Sequence, residues 1–286
     1  MTFTRRGGSR DRHQVHAMSS DSIDPPGLFE GTAAYYSRYR FGYPAELFDF
    51  LVERFNLSRG SHVLDLGCGT GQVAIPLAKR HMPVRAVDPD IAMLAEGLRV
   101  ESESGAVGVA WQRGDDKNLA ELGLPRLGLC IMASSFHWTD RDALLVKLDQ
   151  MIEPKGAVVL VDGARGTWTG AEQDWGEASR DVIREFLGPE RRAGGGTYTH
   201  PKDRHRVVLE RSPFRCVEHR VFPAKKVLTI DQIIGLQLSM SFASPAQLGS
   251  NIDAFKERLS QRLREIIPTG MVQGEVSHEM LIGTRE

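Results

Sequence analysis

The fold turns on residues 62–80, HVLDLGCGTGQVAIPLAKR. A short apolar run carrying Asp65 ends in a loop with Gly67, Gly69 and Gly71, and an amphipathic segment follows. A strand, a glycine-rich turn and a helix in this order bring backbone close to a nucleotide-like ligand. The glycines let the chain turn sharply and leave room for that approach. Pro76 sits early in the expected helix, where a proline in the first turn is tolerated.

The same alternation continues outward. Upstream, AELFDFLVERFNL spaces Leu47, Phe48, Leu51, Val52 and Phe55 as one helical face. Downstream, PVRAVDPD reads as a second strand ending at Asp88, IAMLAEGLRV as a helix and GVAWQRGDD as a third strand. LGLCIMASSFHW is apolar throughout, as a strand buried on both faces requires. DALLVKLDQMI is the next helix and GAVVLVDG the fifth strand. Strands alternating with helices predict an α/β, doubly wound, parallel sheet. Near residue 163 the alternation stops. AEQDWGEASRDVIREFLG predicts a helix, FRCVEHRVFPAKKVLT a returning strand, 231–240 and 251–265 two helices, and EVSHEMLIGTR a last strand. The expected organisation is a disordered tail over 1–27 and a ligand-binding core with an N-terminal aromatic lid over 28–162. A helical substrate cap follows over 163–268, with one core strand returning near 214–230, and a final core strand over 269–286.

The acids at the strand ends say what kind of ligand the loop holds. GTGQVA also satisfies the nicotinamide pattern GxGxx(G/A), so the glycines alone leave two readings open. A dinucleotide brings a pyrophosphate to the loop and helix N-terminus, where negative charge is favoured. A carboxylate at Asp65, just before that loop, suits instead a ligand that brings a cation. S-adenosylmethionine has an ammonium, a sulfonium and no phosphate. Asp88, at the end of the second strand, is placed to accept from both ribose hydroxyls; it equally fits a helix N-cap with Pro89 at the first helical position, a role Asp90 can also fill. Asp115 is the candidate partner of the adenine amino group, with Asp116 its neighbouring rival.

VLDLGCGTG, AVDPD, RGDD and SSFHW, in this order and spacing, resemble the class I S-adenosylmethionine-dependent methyltransferases. YYSRYRFGYP and FHWTD further resemble the small-molecule branch that includes trans-aconitate methyltransferase-like enzymes. FLGPERRAGGGTY and SFASPAQLG look like a bacterial subgroup with members in antibiotic biosynthesis, N-methylation among their reactions. The resemblance implies a Rossmann-like, seven-stranded sheet of order 3-2-1-4-5-7-6 with a cap insertion, and transfer of a methyl group to an N, O or C nucleophile of a small metabolite. It implies that Asp65, Gly67, Gly69 and Gly71 surround the methionine moiety, that Asp88 with Pro89 holds the ribose and Asp115 or Asp116 the adenine. The peptide at Ala133 and Ser134 would face the ligand's amino group, and Arg40 would contact the cofactor carboxylate or the substrate.

Methyl transfer from a sulfonium needs alignment and exclusion of water more than it needs a base. A base is required only for a nucleophile that is protonated at working pH. His137, directly after the fourth strand, is the base or orienting candidate; Tyr36 is the second catalytic candidate. Tyr35, Tyr39, Tyr43, Phe136, Trp138, Trp168 and Trp175 are the candidates for the substrate pocket, with His200 and His205 further options in the cap. Each aromatic also fits ordinary packing.

Bulk properties narrow the partners. A hydrophobic fraction of 41% and a net charge of -1 describe a globular chain with no basic field for nucleic acid. No apolar run reaches membrane-spanning length. Cys68, Cys130 and Cys216 lack metal or disulfide spacing, so no metal is expected, and a reduced, cytoplasmic setting is. The aromatic N-terminal segment is a candidate for exchange between subunits of a homo-oligomer. The competing readings are a binding protein on the same fold and, more remotely, a nicotinamide-dependent oxidoreductase.

Overall fold

The computed structural model describes residues 29–163, 165–168, 174–189, 192–193, 196–197 and 202–285. The expected tail over 1–27 lies outside them, as does His200.

Seven strands build the core sheet. β1 (Val63–Leu66), β2 (Val84–Asp88), β3 (Val109–Arg113), β4 (Leu127–Ala133) and β5 (Ile152–Val161) are parallel. Between β5 and the end of the chain come β6 (Arg165–Trp168), the two-residue strands β7 (Arg192–Ala193) and β8 (Gly196–Thr197), β9 (Cys216–Thr229) and β10 (Met271–Thr284). β10 joins β5 antiparallel, and β9 pairs with β10 over its whole length. With β9 and β10 as sixth and seventh core strands, the order is the expected 3-2-1-4-5-7-6. β6 is an unpredicted eighth: after Asp162 and Gly163 the chain takes up the β10 edge again, opposite Gly274–Ser277.

Helices cover both faces. On one, α2 (Ala45–Arg54), α3 (Ala74–Lys79) and α4 (Ile91–Ser104) pack their apolar sides on Val63, Leu129, Ile131 and Val159. On the other, α5 (Arg141–Met151) sets Leu144, Leu145 and Leu148 against Leu64, Cys130 and Met132, joined by Val208 and Leu209 of α7 (His205–Glu210). β4 is buried on both sides, which is why its sequence is almost unbroken in apolar residues. Pro76 is the third residue of α3, in the first turn, where no intrahelical N–H is lost.

α1 (Ala33–Tyr39) bridges core and cap. Ser37 hydrogen-bonds Glu96 of α4, and the Tyr39 ring lies against Gly235 of α8 (Ile230–Leu238), where a Cβ would come within 2.4 Å of it. The cap joins α8 to α6 (Trp175–Leu187), α9 (Pro245–Leu248) and α10 (Ile252–Ile266) around Val182, Ile233, Phe255, Leu259 and Leu263. β10 ties the two bodies: Val272 is buried in the cap and Ile282 in the core. Among the described residues no helix is long and apolar enough to cross a membrane.

Candidate active site

Two cavities open side by side at the carboxyl edge of the parallel strands. The first, about 460 Å³, is walled by the turns after β1, β2, β3 and β4. Gly67, at φ +72°, faces Ser135 so closely that a Cβ would come within 2.4 Å of the Ser135 Cβ. Ser135 in turn donates to the Leu66 carbonyl at 2.6 Å, and Gly67 N–H donates to Val87 O at 2.7 Å. The loop is thus pinned to β2 and to the turn after β4. Gly69, at φ +52°, leaves 3.6 Å to the Tyr36 ring. Asp88 accepts from Gly69 N–H (2.8 Å) and Asp90 N–H (2.9 Å) while facing the cavity. Asp90 is the N-cap of α4, accepting from Ala92 and Met93. Asp115 accepts from Lys117 and Asn118 N–H, and Asp116 from Asp140 N–H. With Glu30, five acids line this cavity against one cation, Lys117, among the described residues.

The second cavity, about 440 Å³, lies between core and cap. α1 and the following loop supply Tyr36, Arg40, Phe41 and Tyr43; α6 supplies Trp175 and Arg180; α8 supplies Leu236 and Gln237; β10 supplies His278. Tyr36 and Ser134 line both cavities. Ser134 holds a left-handed backbone (φ 57°), a strained conformation for a residue with a Cβ. Burial pushes the pKa values of Tyr36 and Tyr43 up, so both phenols stay protonated and can donate.

A family model described as a methyltransferase domain matches residues 63–156, the part of the chain that builds the first cavity's strand-end turns. An uncharacterized methyltransferase of Mycobacterium tuberculosis is 28% identical over 248 residues, 84% of this chain and 86% of that protein. A Saccharomyces cerevisiae protein named a probable S-adenosylmethionine-dependent methyltransferase is 22% identical over 125 residues, 43% of each chain. A solved structure described as a candidate type II methyltransferase from Anaeromyxobacter dehalogenans shares the fold, with a TM-score of 0.58 at 18% identity, over 86% of this chain and 98% of that one. Residues 63–156 therefore carry a methyltransferase domain, and the chain is similar to S-adenosylmethionine-dependent methyltransferases.

The cavity chemistry of the methyltransferase fits that cofactor. Gly67 and Gly69 leave a cradle that side chains would fill, and the five acids suit a ligand with a sulfonium and an ammonium. A pyrophosphate would face those acids with like charge.

Of the residues expected around the cofactor, Gly67, Gly69, Asp88, Pro89, Asp115, Asp116, Ala133 and Ser134 line the first cavity of the methyltransferase. Three do not. Asp65 is sealed behind the loop, 1% exposed, accepting from Ala74 N–H at 3.0 Å. It braces the turn from within, and burial pushes its pKa up to about 8. Gly71 is needed for packing: a Cβ there would stand 2.5 Å from the Trp111 ring. Arg40 lines the second cavity, its guanidinium 4.8 Å over the Tyr36 ring and its Nη2 donating to Ser239 O at 3.2 Å.

The substrate and catalytic candidates divide as well. Tyr43 and Trp175 line the second cavity, and Tyr36 stands between the two. Trp138 is on the wall of the first cavity instead. Tyr35 and Tyr39 stack on each other, 6.1 Å apart, along the cap-facing side of α1, and neither lines either of the two cavities. Phe136 is 2% exposed in the core beneath β4. His137 lines neither cavity; a single helical turn at Phe136–Trp138 carries its ring beside Trp138 and His205, at 4.8 and 6.4 Å. The Trp168 side chain lies outside the described residues.

Sequence reasoning missed Glu30, Gln72, Arg180, Gln237 and His278. His278 alone carried a signal: in EVSHEMLIG it falls on the buried phase of the strand, between Val276 and Met280.

Proposed function

We propose that the methyltransferase binds S-adenosylmethionine in the first cavity and a small-metabolite acceptor in the second, the methyl passing at the Tyr36–Ser134 boundary. The observation that carries this reading is the shared wall: two cavities of similar volume meet only where these two residues line both. The bound cofactor supplies an activated methyl group on a sulfonium. Asp88, at the end of β2, has its carboxylate oriented by the Gly69 and Asp90 N–H groups and faces the cavity, a position that suits the vicinal diol of the ribose. Asp115 and Asp116 are placed for the adenine end, and the Ala133–Ser134 peptide for the amino-acid end. Tyr36, with the Arg40 guanidinium over its ring, and Tyr43 orient the acceptor and shield the junction from water. α1 covers that junction because it is anchored on both sides, through Glu96 and Gly235. The resemblance of SFASPAQLG to antibiotic-pathway enzymes supports a setting in bacterial secondary metabolism.

The test is incubation of the full chain with methyl-labelled S-adenosylmethionine and an extract of the producing cells, read by mass spectrometry. A small molecule gaining one methyl group is expected. Label that ends only on protein or nucleic acid overturns the reading.

A further inference from the structure

Along β10, Val272, Val276, His278, Met280 and Ile282 are all buried. Val272 belongs to the cap cluster, and Met280 and Ile282 belong to the core. His278 falls between them, where the second cavity opens, and is 1% exposed. Its ring meets Tyr43 edge-on at 5.0 Å, and neither ring nitrogen has a hydrogen-bond partner. A buried polar atom left without a partner costs about 1–3 kcal/mol. An apolar side chain would continue the stripe without that cost. Arg40 repeats the pattern from another element: its Nε is buried and unpartnered in the wall of the same cavity.

The charges fix what these groups suit. Burial first, and then the Lys226 ammonium, push the His278 pKa down to about 4. At neutral pH the imidazole is uncharged, with one N–H donor and one acceptor nitrogen. Arg40 on the α1 side and Arg180 on α6 line the cavity, and none of the described residues lining it is Asp or Glu. A cationic amine would find no counter-ion there. An oxyanion would find a guanidinium, an imidazole N–H and the two phenols. Phe41, Trp175 and Phe242 supply flat apolar walls.

We infer that His278 and Arg40 form the acceptor-recognition subsite of the second cavity, and that it takes the oxyanion, carboxylate or phenolate, of a compound with an aromatic-sized ring. The inference rests on reading this cavity as the acceptor site. His278 acts here as a specificity-determining residue that holds the acceptor by a hydrogen bond.

The experiment is calorimetry on the full chain saturated with S-adenosylhomocysteine, titrated with benzoate, with 4-nitrophenolate and with benzylamine. The anions are expected to bind at least about tenfold more tightly than benzylamine, and the tighter of the two anions identifies the source of the oxyanion. His278→Phe keeps the ring shape and is expected to weaken anion binding about tenfold, the worth of one charge-assisted hydrogen bond, with S-adenosylhomocysteine affinity unchanged. Benzylamine binding as tightly as the anions, no binding of either anion, or His278→Phe binding them as the parent does, overturns the inference. If His278→Phe fails to fold, the nitrogen resonances of the His278 ring in the parent protein serve instead. They are expected to shift on adding benzoate, and unchanged resonances overturn the inference. Absence of S-adenosylhomocysteine binding would refute the reading of the first cavity and is seen before any acceptor probe is added.

Discussion

The two cavities are nearly equal in size, about 460 and 440 Å³, and opposite in charge. Among the described residues, five acids and one lysine line the first, and two arginines and no acid line the second. Both share Tyr36 and Ser134, so the change of sign happens across one residue's width. A cationic donor and an anionic acceptor would each be drawn to its own side, and each would be repelled from the other's. Two fixed fields that meet at one boundary orient a reaction without a mobile base.

The first cavity depends on backbone, and there the largest losses are expected. Gly67→Val adds a branched side chain at φ +72° where Ser135 leaves no space for even a Cβ. Strain and clash together should cost about 3 kcal/mol or more of stability and abolish S-adenosylhomocysteine binding, measured by thermal unfolding and calorimetry. Parent-like binding would mean that the loop is not the cradle. Asp88→Asn keeps the shape but removes the charge and one of the two acceptor oxygens that hold Gly69 and Asp90. The expected loss is about 2 kcal/mol in cofactor affinity, some thirtyfold, with little change in anion binding to the second cavity. Equal losses at both cavities would break the comparison.

This division also decides what could be read from the chain alone. Apart from Phe29, Glu30, Gly31 and Tyr36, the first cavity is lined by four turns within residues 66–139, each directly after a strand, so order and spacing in the sequence carry most of its geometry. The core sheet was legible for the same reason: strand period, helix period and the all-apolar β4 are local signals. The second cavity joins Arg40 to Gln237 and His278, nearly the length of the chain apart, and nothing local marks them as neighbours. The tyrosines show the limit well. Their spacing identifies a helix, yet which of Tyr35, Tyr36 and Tyr39 faces a ligand depends on how α1 lies between α4 and α8. His137 shows the same limit: it follows β4 directly, and a single helical turn sets its ring beside Trp138 and His205. Asp65 was recognised as special, but its partner is the Ala74 N–H, and its role is to brace the loop.

Acid–base behaviour sharpens the contrast, because Asp65 behind the first cavity and His278 in the second are shifted by burial in opposite senses. Asp65 has a folded pKa pushed up to about 8 by burial, against an ordinary carboxyl near 4 in the unfolded chain. Folding takes up a proton there, so the stability it contributes is full below about pH 4 and is lost as pH rises through 8. Asp65→Asn should remove that slope, gaining on the order of 4 kcal/mol on the parent between pH 5 and pH 8. His278 has a folded pKa pushed down to about 4, against roughly 6.5 unfolded. Its contribution is present above about pH 6.5 and is lost as pH falls through 4. His278→Gln should flatten that acid limb by on the order of 1 kcal/mol, visible in melting temperatures from pH 7 down to pH 4.5. A common slope for both variants would show that the two groups share one environment.

The smallest expected effect is at His137. Its ring packs beside Trp138 and His205, and it lines neither of the two cavities. His137→Ala should leave methyl transfer to the extract within about twofold of the parent, and stability within about 0.5–1 kcal/mol, the range of a partly exposed side chain. His278→Phe, measured beside it, should lower transfer about tenfold by weakening acceptor binding. A boundary between two opposed fields gives this ordering, because the acceptor reaches the junction already ionised and is held by His278 and Arg40. A base-driven reaction gives the reverse: loss of His137 would remove the steep alkaline rise in rate that proton abstraction produces. Transfer rates of the two variants across pH therefore decide between a site that selects an ionised acceptor and one that makes it.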